Sequence, residues 1–273
     1  MRGPGEDFAL ALFRKSILKQ AKYRQIVSLL GATGGLTCLD VGGDNGVVSL
    51  LLRMRGGVWH SADLDPGTVQ LIRQLVGERV VEIDGKRTPF PDHFFDRVVI
   101  IDFLEHISTD REFAQELRRI LKPEGALIVN VPHRKPGSLL NRLRHAMGLT
   151  DEWHGHLRTG FSRADLAETL SPHFLIRESR TYSRACSELI DTVLTWSLEY
   201  LKRGTGAPPS RKGTLVTSAD LDRHRWKFLL LSAAYPFLWL FSRLDHLLFF
   251  QEGYKLIVMA EVNSEPGRGG GQG

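Results

Sequence analysis

The stretch CLDVGGDNG, residues 38–46, has the side chains and spacing of a ligand-binding turn. Asp40 ends a short apolar run, and Gly42, Gly43 and Gly46 follow it closely. Glycine lets a backbone approach a ligand closely, and a helix after the turn presents unpaired N–H groups. The apolar run, the glycines and the helical pattern after them therefore predict a strand–turn–helix cradle for a ligand.

The charges of this cradle indicate which ligand it suits. The glycine spacing differs from the G-x-G-x-x-G of dinucleotide sites, and Asp40 and Asp44 would repel a pyrophosphate. Asp63 and Asp84 end the next two predicted strands, where they could accept hydrogen bonds from ribose hydroxyls and an adenine amino group. S-adenosylmethionine, with its sulfonium and ammonium charges, matches this set of acids better than NAD.

Alternating apolar patterns predict the elements that must position these residues. Strands are predicted at 36–41, 57–63, 79–84, 95–102, 126–132, 174–182 and 254–262. Helices are predicted at 6–30 (one helix or a pair), 47–54, 66–76, 111–122, 186–202 and 222–250, and a further helix begins at the capping box 162–165. Strands that alternate with helices at this spacing indicate a doubly wound, mostly parallel sheet. The predicted fold is an α/β protein with a seven-stranded sheet and an apolar helical insertion before the last strand.

Four stretches carry a resemblance to a known family: LDVGGDNG, ADLDP, IDGKRTPFPDHFFDRVVIIDFLEHI and ELRRILKPEGALIVNVP. In this order they resemble the class I S-adenosylmethionine-dependent methyltransferases, especially the small-molecule branch that includes quinone-biosynthesis enzymes. The resemblance covers about residues 36–182 and resumes at the final strand. It implies a Rossmann-like methyltransferase fold and S-adenosylmethionine as the cofactor.

The resemblance also implies a set of cofactor-binding residues. They are Asp40, Gly42, Gly46, Asp63, Leu64, Asp84, Gly85, Asp102 and Phe103. The chain departs from the family at Asp44, where glycine is usual. We expect the Asp44 side chain either to turn away from the cofactor or to contact its ammonium group.

Two histidines are the candidates for acid–base chemistry. His106 follows the fourth strand, and His156 lies in the loop after the fifth; imidazole suits a base that works near neutral pH. Each has a structural alternative, His106 as a residue that packs or caps at a helix entry and His156 as a loop-packing residue. His154 and His156 could ligate a metal, but no third ligand is evident, so no metal is predicted.

Composition shifts predict four segments. They are an amphipathic helical segment at 1–35, a methyltransferase core at 36–182 plus 253–262, a helical insertion at 183–252 and a disordered tail at 263–273. Within the insertion, residues 226–250 are apolar with flanking basic and tryptophan residues, which is typical of a helix at a membrane interface. A lid or a homodimer interface is the alternative for this stretch.

The bulk composition limits the partners. A net charge of +5, spread along the chain, does not indicate a nucleic-acid partner, and two cysteines cannot form a disulfide framework. The N-terminus lacks the pattern of a signal peptide, so a cytoplasmic location is expected, with the inner face of the membrane as the alternative.

The function expected from these features is O-methylation of a small-molecule, lipid-like or lipid-linked glycan acceptor. The alternatives are nitrogen or carbon methylation, or a catalytically silent scaffold that binds a partner or a membrane.

Overall fold

The computed structural model describes residues 4–150, 155–202 and 218–263. The strands are β1 Thr37–Val41, β2 Val58–Asp63, β3 Val80–Glu82, β4 Phe95–Ile101, β5 Leu121–Pro132, β6 Phe174–Tyr182 and β7 Lys255–Val262. The α-helices in these residues are α1 Pro4–Phe13, α2 Ile17–Leu30, α3 Val47–Arg53, α4 Pro66–Val76, α5 Asp110–Ile120, α6 Leu139–Ala146, α7 Arg163–Leu170, α8 Ala185–Lys202 and α9 Ser218–Ser242. Short 3₁₀ turns follow β4 and α9, at Leu104–His106 and Arg243–His246.

The seven strands form one sheet in the order β3-β2-β1-β4-β5-β7-β6. The first five strands pair in parallel, while β7 lies antiparallel between β5 and β6. The strand order reverses direction between β1 and β4, the point in a doubly wound sheet where ligands bind at the carboxyl ends of the strands. The predicted fold class is confirmed.

Side-chain patterns explain why these segments adopt their structures. In β4, Val98 to Ile101 are all buried, as expected for a strand covered on both faces. In α5, Phe113, Leu117 and Ile120 lie on one buried face at helical spacing. These buried side chains of β4 and α5 hold the sheet against its helices. The glycine turn after β1 therefore has a fixed position at the carboxyl end of the sheet.

Several element boundaries differ from the sequence prediction: the predicted helix 222–250 is α9, which ends at Ser242, and the predicted strand 79–84 is the shorter β3. Strand β5 begins at Leu121 rather than at 126, because Pro123 disfavours a helical conformation at the residue before it and the chain becomes extended directly after α5. Of the single helix and the helix pair predicted for 6–30, the structure has the pair, since the Ser16 hydroxyl accepts a hydrogen bond from the Lys19 N–H and begins α2.

The insertion contains α8 and α9, which lie in sequence between β6 and β7. Within the described residues, no helix is both long and apolar enough to cross a bilayer. The predicted tail after Asn263, the basic loop 203–217, His154 and the side chains of 218–228 lie outside the described residues. The four-segment division of the chain stays a prediction.

Candidate active site

The glycine turn after β1 packs tightly against its neighbours. Gly42 has φ +81°, and a Cβ there would lie 2.3 Å from the carbonyl oxygen of Ile101. Gly46 has φ +77°, and its Cβ would lie 3.0 Å from the Cα of Ile72. Glycine is therefore required at both positions by the packing of the turn itself, and the turn is held at the carboxyl ends of the strands.

Asp40 is fully buried under this turn. Its carboxylate accepts hydrogen bonds from the hydroxyls of Ser49 at 2.5 Å and Ser61 at 2.8 Å, and Arg53 lies 3.5 Å away. Burial raises the pKa of Asp40, while Arg53 and the two hydroxyls oppose that rise. The carboxylate thus links β1 to β2 and α3 through buried hydrogen bonds. Its role toward the cofactor stays a prediction.

Asp63, at the end of β2, has a carboxylate with few protein donors. It accepts a hydrogen bond from the Asp65 N–H at 3.2 Å. Burial raises the pKa of Asp63 to about 6, and the nearby carboxylates of Asp65 and Asp44 add to the rise. A half-buried acid of this kind would be stabilised in its charged form by two ligand hydroxyls.

Asp84 lies on the surface after β3. One of its oxygens accepts the backbone N–H groups of Lys86 and Arg87, both at 2.8 Å, and these bonds lower its pKa. The next residue, Gly85, has φ +76°, and a Cβ there would lie 2.7 Å from Ile107. Its Cβ would also lie 3.3 Å from the Leu64 side chain, so three predicted cofactor residues lie together beyond β2 and β3.

Asp102 follows β4 with φ +45° and belongs to a network of charged and polar groups. Asn130 donates to its carboxylate at 3.0 Å, Lys255 lies 3.4 Å away, and Lys22 of α2 contacts its other oxygen. Burial alone would lower the pKa of Lys255, but Asp102 and other nearby carboxylates raise it. The adjacent Phe103 is buried against Phe113, with ring centroids 5.1 Å apart.

Asp44, the departure from the family pattern, turns toward the N-terminal helices. Its carboxylate receives a hydrogen bond from Lys19 of α2 at 2.7 Å. Together with the contact from Lys22 to Asp102, this places two lysines of one helix against two acids at the strand ends. Helix α2 therefore lies across the edge of the sheet where the cofactor is predicted.

The two candidate catalytic histidines lie side by side, with ring centroids 4.9 Å apart. The Nδ1 of His106 lies 2.9 Å from the carbonyl oxygen of Gly155, which fixes its proton on Nδ1 and leaves Nε2 with a lone pair. Next to them is Glu105, which is fully buried, and no described residue forms a hydrogen bond with either of its carboxylate oxygens. Burial, with the nearby Asp102 carboxylate, raises the pKa of Glu105.

A cavity of about 420 Å³ lies beyond β5. Its lining includes Leu18 of α2, His156 and Lys255, and more basic than acidic side chains. The basic residues of the lining are Arg134, Lys135, Arg142, Arg144 and Lys255, and the acids are Glu188 and Asp191. Since Lys255 also contacts Asp102, the cavity shares a wall with the predicted cofactor site.

The residues present fit S-adenosylmethionine in chemical terms. Asp63 offers a half-buried carboxylate, which suits ribose hydroxyls, and one oxygen of Asp84 receives both backbone N–H bonds of its turn. Asp44 and Asp102 already contact lysine ammonium groups, and the same acids suit the cationic groups of this cofactor. The chain would hold the cofactor from Asp63 to Asp102, with the cavity next to its reactive end.

Comparisons with known proteins agree with the fold and the glycine turn. Residues 39–129 match a family model described as a methyltransferase domain. The demethylmenaquinone methyltransferase of Tropheryma whipplei (strain Twist) is 31% identical over 119 residues, which are 42% of this chain and 49% of that protein. The ubiquinone/menaquinone biosynthesis C-methyltransferase of Paraburkholderia phymatum is 32% identical over 104 residues, 35% of this chain and 42% of that protein. The chain thus spans about half the length of these relatives.

Solved structures share the fold at lower identity. The [4+2]-cyclase SpnF has a TM-score of 0.56 and 20% identity, with 89% of this chain and 81% of that chain covered. The YcgJ protein of Bacillus subtilis has a TM-score of 0.54 and 13% identity, with 90% and 99% covered. The solved structures show the fold, and the family model shows a methyltransferase domain at residues 39–129. More particularly, this chain carries a methyltransferase domain of the S-adenosylmethionine-dependent class, similar over that domain to enzymes of quinone biosynthesis.

Sequence reasoning missed three polar residues around Asp102. Lys22, Asn130 and Lys255 come from α2, β5 and β7, which are far apart in sequence. Asn130 had a visible signal, since it interrupts an otherwise apolar strand, and a buried amide needs a partner. Glu105 had no comparable signal, because the burial of a single glutamate is decided by the packing of the chain around it.

Proposed function

We propose that this protein transfers the methyl group of S-adenosylmethionine to an oxygen of a small, lipid-like acceptor. The observation that carries the proposal is the shared wall: Lys255 lines the 420 Å³ cavity and contacts Asp102 beside the predicted cofactor site. A cavity of this volume suits a small-molecule acceptor. The cofactor supplies the reactive methyl group, and the chain must hold the acceptor in line with it and exclude water.

Two residues of the site suit proton removal from a hydroxyl acceptor. His106 donates its Nδ1–H to the Gly155 carbonyl oxygen, so its Nε2 carries the lone pair, and His156 lines the cavity. An imidazole next to the acceptor could take its proton near neutral pH. His106 and His156 remain candidates for this role.

Carbon methylation is the second candidate. The relatives that share the domain include proteins named as C-methyltransferases of quinone biosynthesis. An activated ring carbon would use the same cofactor site and the same cavity. A third candidate is a scaffold without methyl transfer. The fold alone does not establish methyl transfer, since a protein named as a [4+2]-cyclase shares it.

Calorimetry and product analysis test these alternatives. The purified chain is titrated with S-adenosylmethionine and then incubated with the methyl-labelled cofactor and a prenylated hydroquinone. We expect binding at one site and label in the lipid extract as a methyl ether. Label on the ring carbon would favour the second candidate, and absence of cofactor binding would favour the scaffold. The variant Asp63→Ala is the negative control for binding.

The apolar segment 229–250 supports a membrane-associated role, which we include in the proposal. Its exposed residues are Leu229, Leu230, Phe237, Trp239, Leu240, Phe241, Leu244, Leu247, Phe249 and Phe250. Tyr235 in the same helix accepts a hydrogen bond from Gln20 of α2 at 3.0 Å, and Lys15 lies over its ring. Lys15 and the basic helix α2 therefore lie beside the apolar segment, a combination that suits the surface of an anionic membrane and a lipid-like acceptor.

A further inference from the structure

A buried carboxylate and two imidazoles meet at the edge of the cavity. One ligand atom each from Glu105, His106 and His156 can be chosen so that the three atoms lie within 4.8 Å of one another. Glu105 and His106 lie in the 3₁₀ turn after β4, and His156 lies in the segment that covers it. The Leu157 N–H donates to the Glu105 carbonyl at 2.8 Å, so the two segments are held together by the backbone.

The Glu105 carboxylate is the independent sign of a ligand. The residue is fully buried, and neither oxygen forms a hydrogen bond with any described residue. A buried polar group without a partner is costly, and native proteins seldom keep one without a use. The charges of Lys255 and Lys22 act on this carboxylate, but neither lysine forms a hydrogen bond with it. A bound cation would supply the direct contact.

The imidazole of His106 is oriented as a metal ligand. Its Nδ1 lies 2.9 Å from the Gly155 carbonyl oxygen, and such a bond fixes the tautomer in which Nε2 is free to coordinate. His156, whose ring lies against that of His106, also lines the cavity. The site therefore borders the space where the acceptor is expected.

We propose that Glu105, His106 and His156 bind a divalent first-row transition metal ion. Two imidazoles and one carboxylate form a donor set that favours Zn²⁺ or Mn²⁺ over Mg²⁺, and three protein ligands leave coordination positions open. Metal–ligand bonds of about 2.0–2.2 Å at tetrahedral angles place ligand atoms about 3.3–3.6 Å apart, so the widest pair would have to close by roughly 1.2–1.5 Å on binding. The role of the ion rests on the proposed function: an acceptor hydroxyl would occupy an open position and become more acidic there. Because coordination would use the lone pairs of both imidazoles, the ion would replace them as the activating group, and the hydroxyl proton would pass to solvent.

Calorimetry with zinc chloride tests the site on the full chain after treatment with a chelator. We expect binding of one Zn²⁺, and a loss of affinity of about a hundredfold in both Glu105→Gln and His156→Ala. His145→Ala is the matched control, because His145 also lines the cavity but lies outside the cluster. Cobalt(II) provides a second measurement, since its visible absorption reports on imidazole coordination.

The outcomes separate the metal site from the proposed function. Absence of zinc binding in the wild type, or an equal loss in the His145→Ala control, would overturn the metal site. Circular dichroism of each variant establishes that it is folded, and His156→Ala on the covering segment decides the question where Glu105→Gln does not fold. Titration of the same samples with S-adenosylmethionine measures cofactor binding separately from zinc binding. Cofactor binding without zinc binding rejects the metal site alone. Zinc binding without cofactor binding rejects the proposed function alone.

Discussion

At the scale of single residues, the acids at the strand ends differ in what their carboxylates contact. Asp40 is enclosed and receives hydrogen bonds from Ser49 and Ser61, whereas Asp63 has few protein donors. Burial without compensation raises the pKa of Asp63 to about 6, so its charge costs folding free energy in the ligand-free protein. Asp63 is therefore the acid that gains most from a ligand with two hydroxyl donors.

The substitution Asp63→Asn should stabilise the ligand-free protein and weaken cofactor binding. The pKa of Asp63 is raised from 3.8 to about 6, so deprotonation destabilises the fold as the pH rises through that interval. At pH 7.5 we expect a gain of about 1–2 kcal/mol after allowance for solvent screening, and a melting temperature higher by about 2–4 °C. The gain in stability should disappear below pH 4, where Asp63 of the wild type is protonated and therefore as neutral as the asparagine of the variant.

The same variant should bind S-adenosylmethionine about 10–100 times more weakly, because hydrogen bonds to a charged acceptor are lost. Scanning calorimetry between pH 4 and 8 and titration calorimetry measure the two effects. Glu82→Gln is the control, since Glu82 is exposed at the end of the neighbouring strand β3. A variant that is less stable than the wild type at pH 7.5 would contradict the assignment.

At the scale of elements, helix α2 contributes positive charge to the acidic strand ends of the site. Lys19 and Lys22 are one turn apart on this helix, and they contact Asp44 and Asp102. Without a ligand, these lysines neutralise acids that would otherwise repel each other across the strand ends. A cationic cofactor would compete with these ammonium groups for the same carboxylates. The lysines of α2 therefore lower the affinity of the site for a cationic ligand.

The substitution Lys22→Met should strengthen binding of S-adenosylmethionine by about three- to tenfold, because Asp102 loses a competing cation. Binding of S-adenosylhomocysteine should change little, since its sulfur carries no charge. Titration calorimetry with both ligands measures the ratio of their affinities. Lys15→Met, which removes a lysine that lies over the Tyr235 ring, is the control. An equal fall in both affinities would show that Lys22 contributes packing rather than charge.

At the scale of the whole molecule, two regions distant in sequence meet on one side of the sheet. The N-terminal helices contact α9 through the hydrogen bond between Gln20 and Tyr235. The apolar segment 229–250 remains exposed beside them, with Phe237 and Phe249 each 76% exposed. Exposed apolar area of this extent is typical of an interaction surface. The adjacent lysines favour a partner with negative charge, such as an anionic membrane.

The purified protein should float with vesicles that contain phosphatidylglycerol, and high salt should weaken this association. Replacing Phe237, Phe249 and Phe250 together by Asp should reduce binding by well over tenfold, since each ring contributes about 1.5–3 kcal/mol when buried. Met54→Asp is the control, because Met54 is half exposed directly after α3 and lies outside the apolar segment. Unchanged flotation of the triple variant would contradict membrane contact. Conversion of a dimer to a monomer in sedimentation would favour the dimer interface instead.

The sequence by itself determined the sheet, the glycine turn and the positions of the acids along the strands. These features depend on local periodicity and on glycine conformations, which short stretches encode. The end of α5 was misjudged by only a few residues, because Pro123 acts through the residue before it. The family resemblance also followed from contiguous stretches.

Only the tertiary structure decided which groups meet at the site. The enclosure of Asp40, the contact of Lys22 with Asp102 and the approach of His156 to Glu105 join residues from separate elements. A linear sequence fixes the spacing of residues within an element, but it does not state how far apart two elements lie after packing. The charge of the site is therefore a property of the packed helices and strands, because burial and distance set the strength of each interaction.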